Sequence, residues 1–171
     1  MTTRPSIHHF RSAGPNALAP NEEKGLEPTA KLAVATELLD RALLMYYAGD
    51  SYFAALHLAG AAEELLAVYV KKYGGTSSFE SLKSAAVRMS KFFSDDRTSS
   101  NPKDIGDLLN AAKNSTKHMR GKNDTQVRFD ARSEAKEMLD LAVTNYYFLM
   151  GFHELTETDM LRRFNAELLG D

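Results

Sequence analysis

The chain has 171 residues, 43% hydrophobic and 26% charged, a size and balance that suit one globular domain able to fold without a metal or disulfide staple. It has no cysteine, which excludes a disulfide framework and any thiolate metal site and fits a reducing, cytoplasmic setting. A formal net charge of −2 excludes a chain that coats nucleic acid over its whole surface.

The first residues, Met-Thr-Thr-Arg-Pro, carry no apolar leader, and the apolar stretches further on are broken by Gly49, Glu63 and Glu64. None reaches the roughly 20 apolar residues of a membrane span, so no membrane partner is expected. Pro5, Pro15, Pro20 and Pro28, with Gly14 and Gly25 between them, forbid a stable helix. Residues 1–28 therefore read as an extended or disordered arm, in which Ile7, Phe10 and Leu18 are the apolar groups able to dock.

The remaining residues, 29–171, read as an all-α domain. Ala30, Val34, Leu38, Ala42 and Met45 recur at helical spacing, with Thr29 as the expected N-cap and Gly49 as the stop. Asp50 is expected to cap a second helix, with Tyr52, Ala55, Leu56, Ala59, Leu66 and Val70 as its stripe and Gly74-Gly75 as its end. The short link places these two helices antiparallel. Small residues crowd the second helix (Ala54, Ala55, Ala59, Gly60, Ala61, Ala62), so a neighbouring helix can approach closely.

Ser77 or Ser78 opens a third helix with Phe79, Leu82, Ala86, Met89 and Phe93 on one face. A polar loop from Ser94 leads to Asn101-Pro102, a cap followed by a first-turn proline. The fourth helix is expected to run unbroken to about Met119, the fifth from about Arg132 to Phe152, and a short sixth to start at Thr156. Thr125 to Phe129 is the one weak strand candidate. The fold class is an antiparallel helical bundle of about five to six helices.

Charge is unevenly spread. Between Asn110 and Arg132 six bases (Lys113, Lys117, Arg120, Lys122, Arg128, Arg132) face two acids (Asp124, Asp130). Within this cationic stretch, Lys113-Asn114-Ser115-Thr116-Lys117-His118 carries the strongest chemical signal. Asn114 and His118 lie four apart on one helical face, and Lys113 and Lys117 lie four apart beside them. An imidazole can take a proton from a ribose 2′-hydroxyl, and a cation can stabilise charge building on the phosphate, with no metal needed. The competing reading is a lysine- and histidine-rich helix end favoured by the helix dipole.

His57 falls within the second helix, followed by Glu63 and Glu64. Two histidines with a glutamate can bind a metal, so His57, Glu63 and His118 form a weaker alternative. No Glu-x-x-His or His-x-x-x-His pair supports it, and a buried histidine bonded to a neighbour is the simpler reading. Glu63 lies nearest the apolar stripe and is expected to have a buried partner. Phosphate-binding glycine loops, Gly-x-Ser-x-Gly elbows and dinucleotide fingerprints are absent, and no cofactor is expected.

These residues resemble the HEPN superfamily (higher eukaryotes and prokaryotes nucleotide-binding), in its small bacterial branch, over about Thr29 to Phe152. Gly60-Ala61-Ala62-Glu63-Glu64-Leu65-Leu66 is similar to the family's small-residue helix with an embedded glutamate. Asn114 and His118 sit where the family has a polar residue and a histidine, and Lys113 sits where it has arginine. That last departure replaces a planar fork with a mobile point charge.

The resemblance implies a homodimer whose two motifs share one cleft. It also implies metal-independent endoribonuclease activity on RNA, often in toxins with a cognate antitoxin-like protein. In that reading His118, Lys113 and Asn114 are catalytic, and Glu63 and Lys117 are supporting. Family members that have lost the motif imply the alternative, a non-catalytic homodimeric interaction module. Its interface would use the small-residue face of the second helix and the aromatic-rich fifth.

Overall fold

The computed structural model describes residues 27–94 and 97–170. The predicted arm therefore lies, up to residue 26, outside the described residues. Among those described the fold is all-helical: α1 (Lys31–Ala48), α2 (Tyr52–Lys72), α3 (Ser78–Ser90), α4 (Pro102–Leu109), α5 (Ala111–Ser115), α6 (Ala131–Met150) and α7 (Asp159–Leu169). The weak strand candidate at Thr125–Phe129 is irregular loop.

The three long helices α1, α2 and α6 pack on one another and hold the core. Gly49, at φ 80°, ends α1 in a left-handed turn and returns its N–H to the Met45 carbonyl at 3.2 Å, so α2 folds straight back. Alanines at 35, 42, 55, 59, 62, 135 and 142 are fully buried and let the helix axes come close. Leu39, Leu43, Leu56, Leu66, Leu139, Leu149 and Tyr146 fill the space between them. α7 closes the open side of α1 and α6 with Leu161 and Phe164. α2 is long and apolar enough to cross a membrane by length and composition alone, with an 18-residue window of mean hydropathy 1.4. Its apolar side is spent on α1 and α6, as befits a core helix.

Seven helices replace the expected five to six chiefly because the fourth is broken. At Asn110, φ −99° and ψ 4°, both the backbone N–H (3.2 Å) and the side-chain amide (3.1 Å) donate to the Gly106 carbonyl. The asparagine side chain competes with the helical ladder and turns the chain. α5 then ends at Ser115 rather than near Met119. The hydroxyls of Ser115 and Thr116 bend back to the carbonyls of Ala112 (2.9 Å) and Lys113 (2.9 Å), which closes the helix early.

Ser77 caps α3, Asn101 caps α4 ahead of Pro102, and Asp130 caps α6, each through its own side chain. Elsewhere the expected caps shift. Ala30 replaces Thr29, Ser51 replaces Asp50, and Thr158, whose hydroxyl accepts from the Leu161 N–H, replaces Thr156. The apolar face expected of α3 is largely uncovered, with Leu82, Met89 and Phe93 exposed. Among the described residues α3 packs chiefly on α4 and on one edge of α6.

Candidate functional site

The site forms where one face of α2 meets α5. His57, Gly60 and Glu64 are spaced by three and four residues and share that face. The break at Asn110 sets α5 against it, so Lys113 and Thr116 point toward α2. Lys113 crosses α2 over Gly60, where a Cβ would stand only 2.7 Å from the lysine Cδ. Only glycine leaves room for that stem. The lysine is 5% exposed, and its Nζ bonds Glu64 Oε1 at 2.6 Å.

Glu63 turns the other way, into the core. Asn145 Nδ2 donates to its Oε1 at 3.3 Å. Asn145 Oδ1 in turn accepts from the Ser78 N–H (2.9 Å) and hydroxyl (3.0 Å), which ties α2, α6 and the start of α3 together. Burial pushes the Glu63 carboxyl above its ordinary range, opposed by the charge of Lys113 and the Asn145 amide. Glu63 therefore has the buried partner expected from its place beside the apolar stripe.

His57 faces the end of α5, with its Nε2 2.7 Å from Thr116 Oγ1. Burial, then the charges of Lys117 and Lys113, hold the imidazole below its ordinary value of 6.5, so the ring is neutral at pH 7. It lines a groove of about 570 Å³ whose other walls include Phe53, Ser115, Thr116, Met119 and Val127.

The predicted catalytic set divides. Lys113 turns inward and is neutralised by Glu64, so it belongs to the packing of α5 on α2. Asn114 is half-buried, and its backbone carbonyl accepts from the N–H groups of Lys117 and His118. Lys117 and His118 are exposed, and among the described residues the His118 side chain makes no hydrogen bond or ion pair. Arg120, Lys122 and Arg128 are exposed on the segment that follows.

Among the described residues no group of His, Asp and Glu is arranged to hold a metal ion, so His57, Glu63 and His118 are not gathered as the metal alternative requires. Sequence reasoning passed over Thr116 as a partner for His57, and Glu64 as the partner of Lys113. The common face of 57, 60 and 64 was the available signal, and it becomes informative only once Gly60 is seen as a place for another chain segment to cross. Compared with known proteins, the chain matches no family model, no curated protein and no solved structure.

Proposed function

We propose that this chain is a HEPN-like RNA-contacting protein that cleaves single-stranded RNA without a metal. In this reading His118 acts at the reacting phosphate and Lys117, in place of Lys113, supplies the stabilising cation. The observation that supports it most is the exposed cationic run Lys117, His118, Arg120, Lys122 and Arg128 beside the groove lined by His57. Phosphate contacts of this kind supply affinity, and an imidazole supplies the proton chemistry. Lys113 is set aside because moving its ammonium to a phosphate would break a 2.6 Å ion pair and leave Glu64 unmatched.

The test is incubation of the purified chain with a single-stranded RNA in EDTA. The expected products carry 2′,3′-cyclic phosphate ends, and His118→Ala abolishes them. Full cutting by His118→Ala refutes the assignment.

A second reading, the homodimeric interaction module, is favoured by a surface cluster of aromatic rings. Tyr73 stacks on Phe152 at 4.6 Å between centroids, Phe148 lies 5.2 Å from Phe152, and both phenylalanines are exposed. On the small-residue face of α2, Ala55, Ala59 and Ala62 are already buried in the core, while Ala54 and Ala61 are half-buried, so the aromatic cluster offers the larger surface for that interface. Light scattering of wild type and Phe152→Asp separates the readings. A dimer lost on that substitution, with no RNA cutting by wild type, favours the module.

A further inference from the structure

We infer that His57 is the general base of RNA cleavage, and that the groove it lines seats the ribose 2′-hydroxyl of the cleaved nucleotide. This rests on the ribonuclease reading above and adds a catalytic residue to it.

One proton decides which tautomer His57 holds. Thr116 has a single hydroxyl hydrogen and two short contacts, to the Lys113 carbonyl at 2.9 Å and to His57 Nε2 at 2.7 Å. A carbonyl can only accept. Both contacts are hydrogen bonds together only when the hydroxyl donates to the carbonyl and Nε2–H donates to the hydroxyl oxygen. That arrangement assigns the ring its Nε2–H tautomer and leaves the lone pair on Nδ1. Among the described residues Nδ1 has no partner.

A base held by a fixed neighbour, with its second nitrogen free, has the geometry general-base catalysis needs. Burial first, and then the charges of Lys117 and Lys113, hold the imidazole below its ordinary value. Lys113 and Lys117 come from α5 and the turn after it, Asp124 also lines the groove and accepts from the Arg120 N–H at 2.7 Å, and Glu64 on the same helix as His57 is paired with Lys113. The groove also fits one nucleotide chemically. Phe53, Met119 and Val127 offer an apolar wall for a base, and Ser115 and Thr116 lie beside the imidazole.

The step balances without a further reactant. Nδ1 of His57 takes the proton of the 2′-hydroxyl while the 2′-oxygen bonds to phosphorus. The bond from phosphorus to the 5′-oxygen breaks, and the departing oxygen takes a proton from the imidazolium form of His118. The products are a 2′,3′-cyclic phosphate and a 5′-hydroxyl.

The test uses the full chain, a single-stranded RNA oligonucleotide and EDTA. His57→Gln keeps an amide N–H for Thr116 and has no base. It is expected to lower kcat/KM by about a hundredfold or more while RNA binding stays near wild type. It should also remove the limb of the pH profile that rises below the ordinary histidine value. If His57→Gln cuts normally while His118→Ala does not, the role assigned to His57 is wrong and the ribonuclease reading survives. If wild type does not cut RNA, both fall. Should His57→Gln fail to fold, nitrogen chemical shifts of His57 in the intact protein decide. A proton on Nε2 and a bare Nδ1 at pH 7 support the inference, and the reverse tautomer overturns it.

Discussion

Lys113 passes over Gly60, fifty-three positions earlier in the chain, and delivers its ammonium to Glu64 at 2.6 Å. A residue that the sequence pattern offered as a catalytic cation thus works as a clamp between α5 and α2. Its two ends differ in environment, because the lysine side chain is 6% exposed and the glutamate 61%.

That asymmetry predicts an asymmetric response to mutation. Lys113→Met removes the buried charge and keeps the stem, so stability should stay within about 1 kcal/mol of wild type or rise. Glu64→Gln strands the ammonium and should cost about 1–2 kcal/mol, a figure reduced because the lost carboxylate is well hydrated. Urea midpoints of the two variants check the order, and equal losses would refute the clamp.

Gly60→Ala tests the crossing itself. Alanine is the better helix former by about 1 kcal/mol. The new methyl would nevertheless press on the middle of the Lys113 stem, since Cδ lies 2.7 Å from the Cβ position. Overpacking of this kind should win, for a net loss of about 1–2 kcal/mol. Combining Gly60→Ala with Lys113→Ala should recover most of it, which a double-mutant cycle by urea unfolding measures.

The buried Glu63 gives stability a pH signature. Its folded carboxyl is raised above the ordinary 4.5, with burial as the first cause. A raised acid binds its proton more tightly when folded, so its contribution is fully present below the unfolded value and is lost as pH rises through the folded value. Glu63→Gln keeps an acceptor for Asn145 and should therefore stabilise the protein at pH 7. The gain should shrink toward zero near pH 4, as thermal melts across that range will show.

RNA binding should depend on the exposed cations and be indifferent to the buried one. Replacing Lys117, Arg120 and Lys122 together by alanine should flatten the slope of log affinity against log salt by about 2 for a single strand. Lys113→Met should leave the slope unchanged. Fluorescence anisotropy with a labelled RNA over a salt series measures both.

Much of this fold was legible in the residue pattern. The stripe Tyr52, Ala55, Leu56, Ala59, Leu66 and Val70 marks most of the buried face of α2, whereas the stripe read for α1 is one position out, since Ala35, Leu39, Ala42, Leu43 and Tyr46 are the buried residues and Val34 is exposed. Ser77 and the Asn101-Pro102 pair announced two helix starts through local capping chemistry. What periodicity does not carry is whether a face has a cover. Leu82, Met89 and Phe93 repeat like core residues but are exposed among the described residues, where α3 packs chiefly on α4 and one edge of α6.

The site was half legible for the same reason. His118 and Lys117 are exposed, as a polar helix end should be. The inward turn of Lys113 depends on a glycine in a different helix, and the choice of Glu64 over Glu63 depends on one step of about 100° around α2. Such steps are decided by tertiary packing, beyond the reach of spacing along one segment.

The hinge at Asn110 has an evolutionary and engineering corollary. Because α5 is only five residues long, its angular phase is set by that one turn together with the Lys113–Glu64 and Thr116–His57 contacts. Removing or adding a single residue between Asn110 and Lys113 would rotate the segment by about 100° and exchange its inward-facing ammonium for a neighbour. Length in this stretch should thus be far less tolerant of change than identity, and a library that varies the two separately would reveal it.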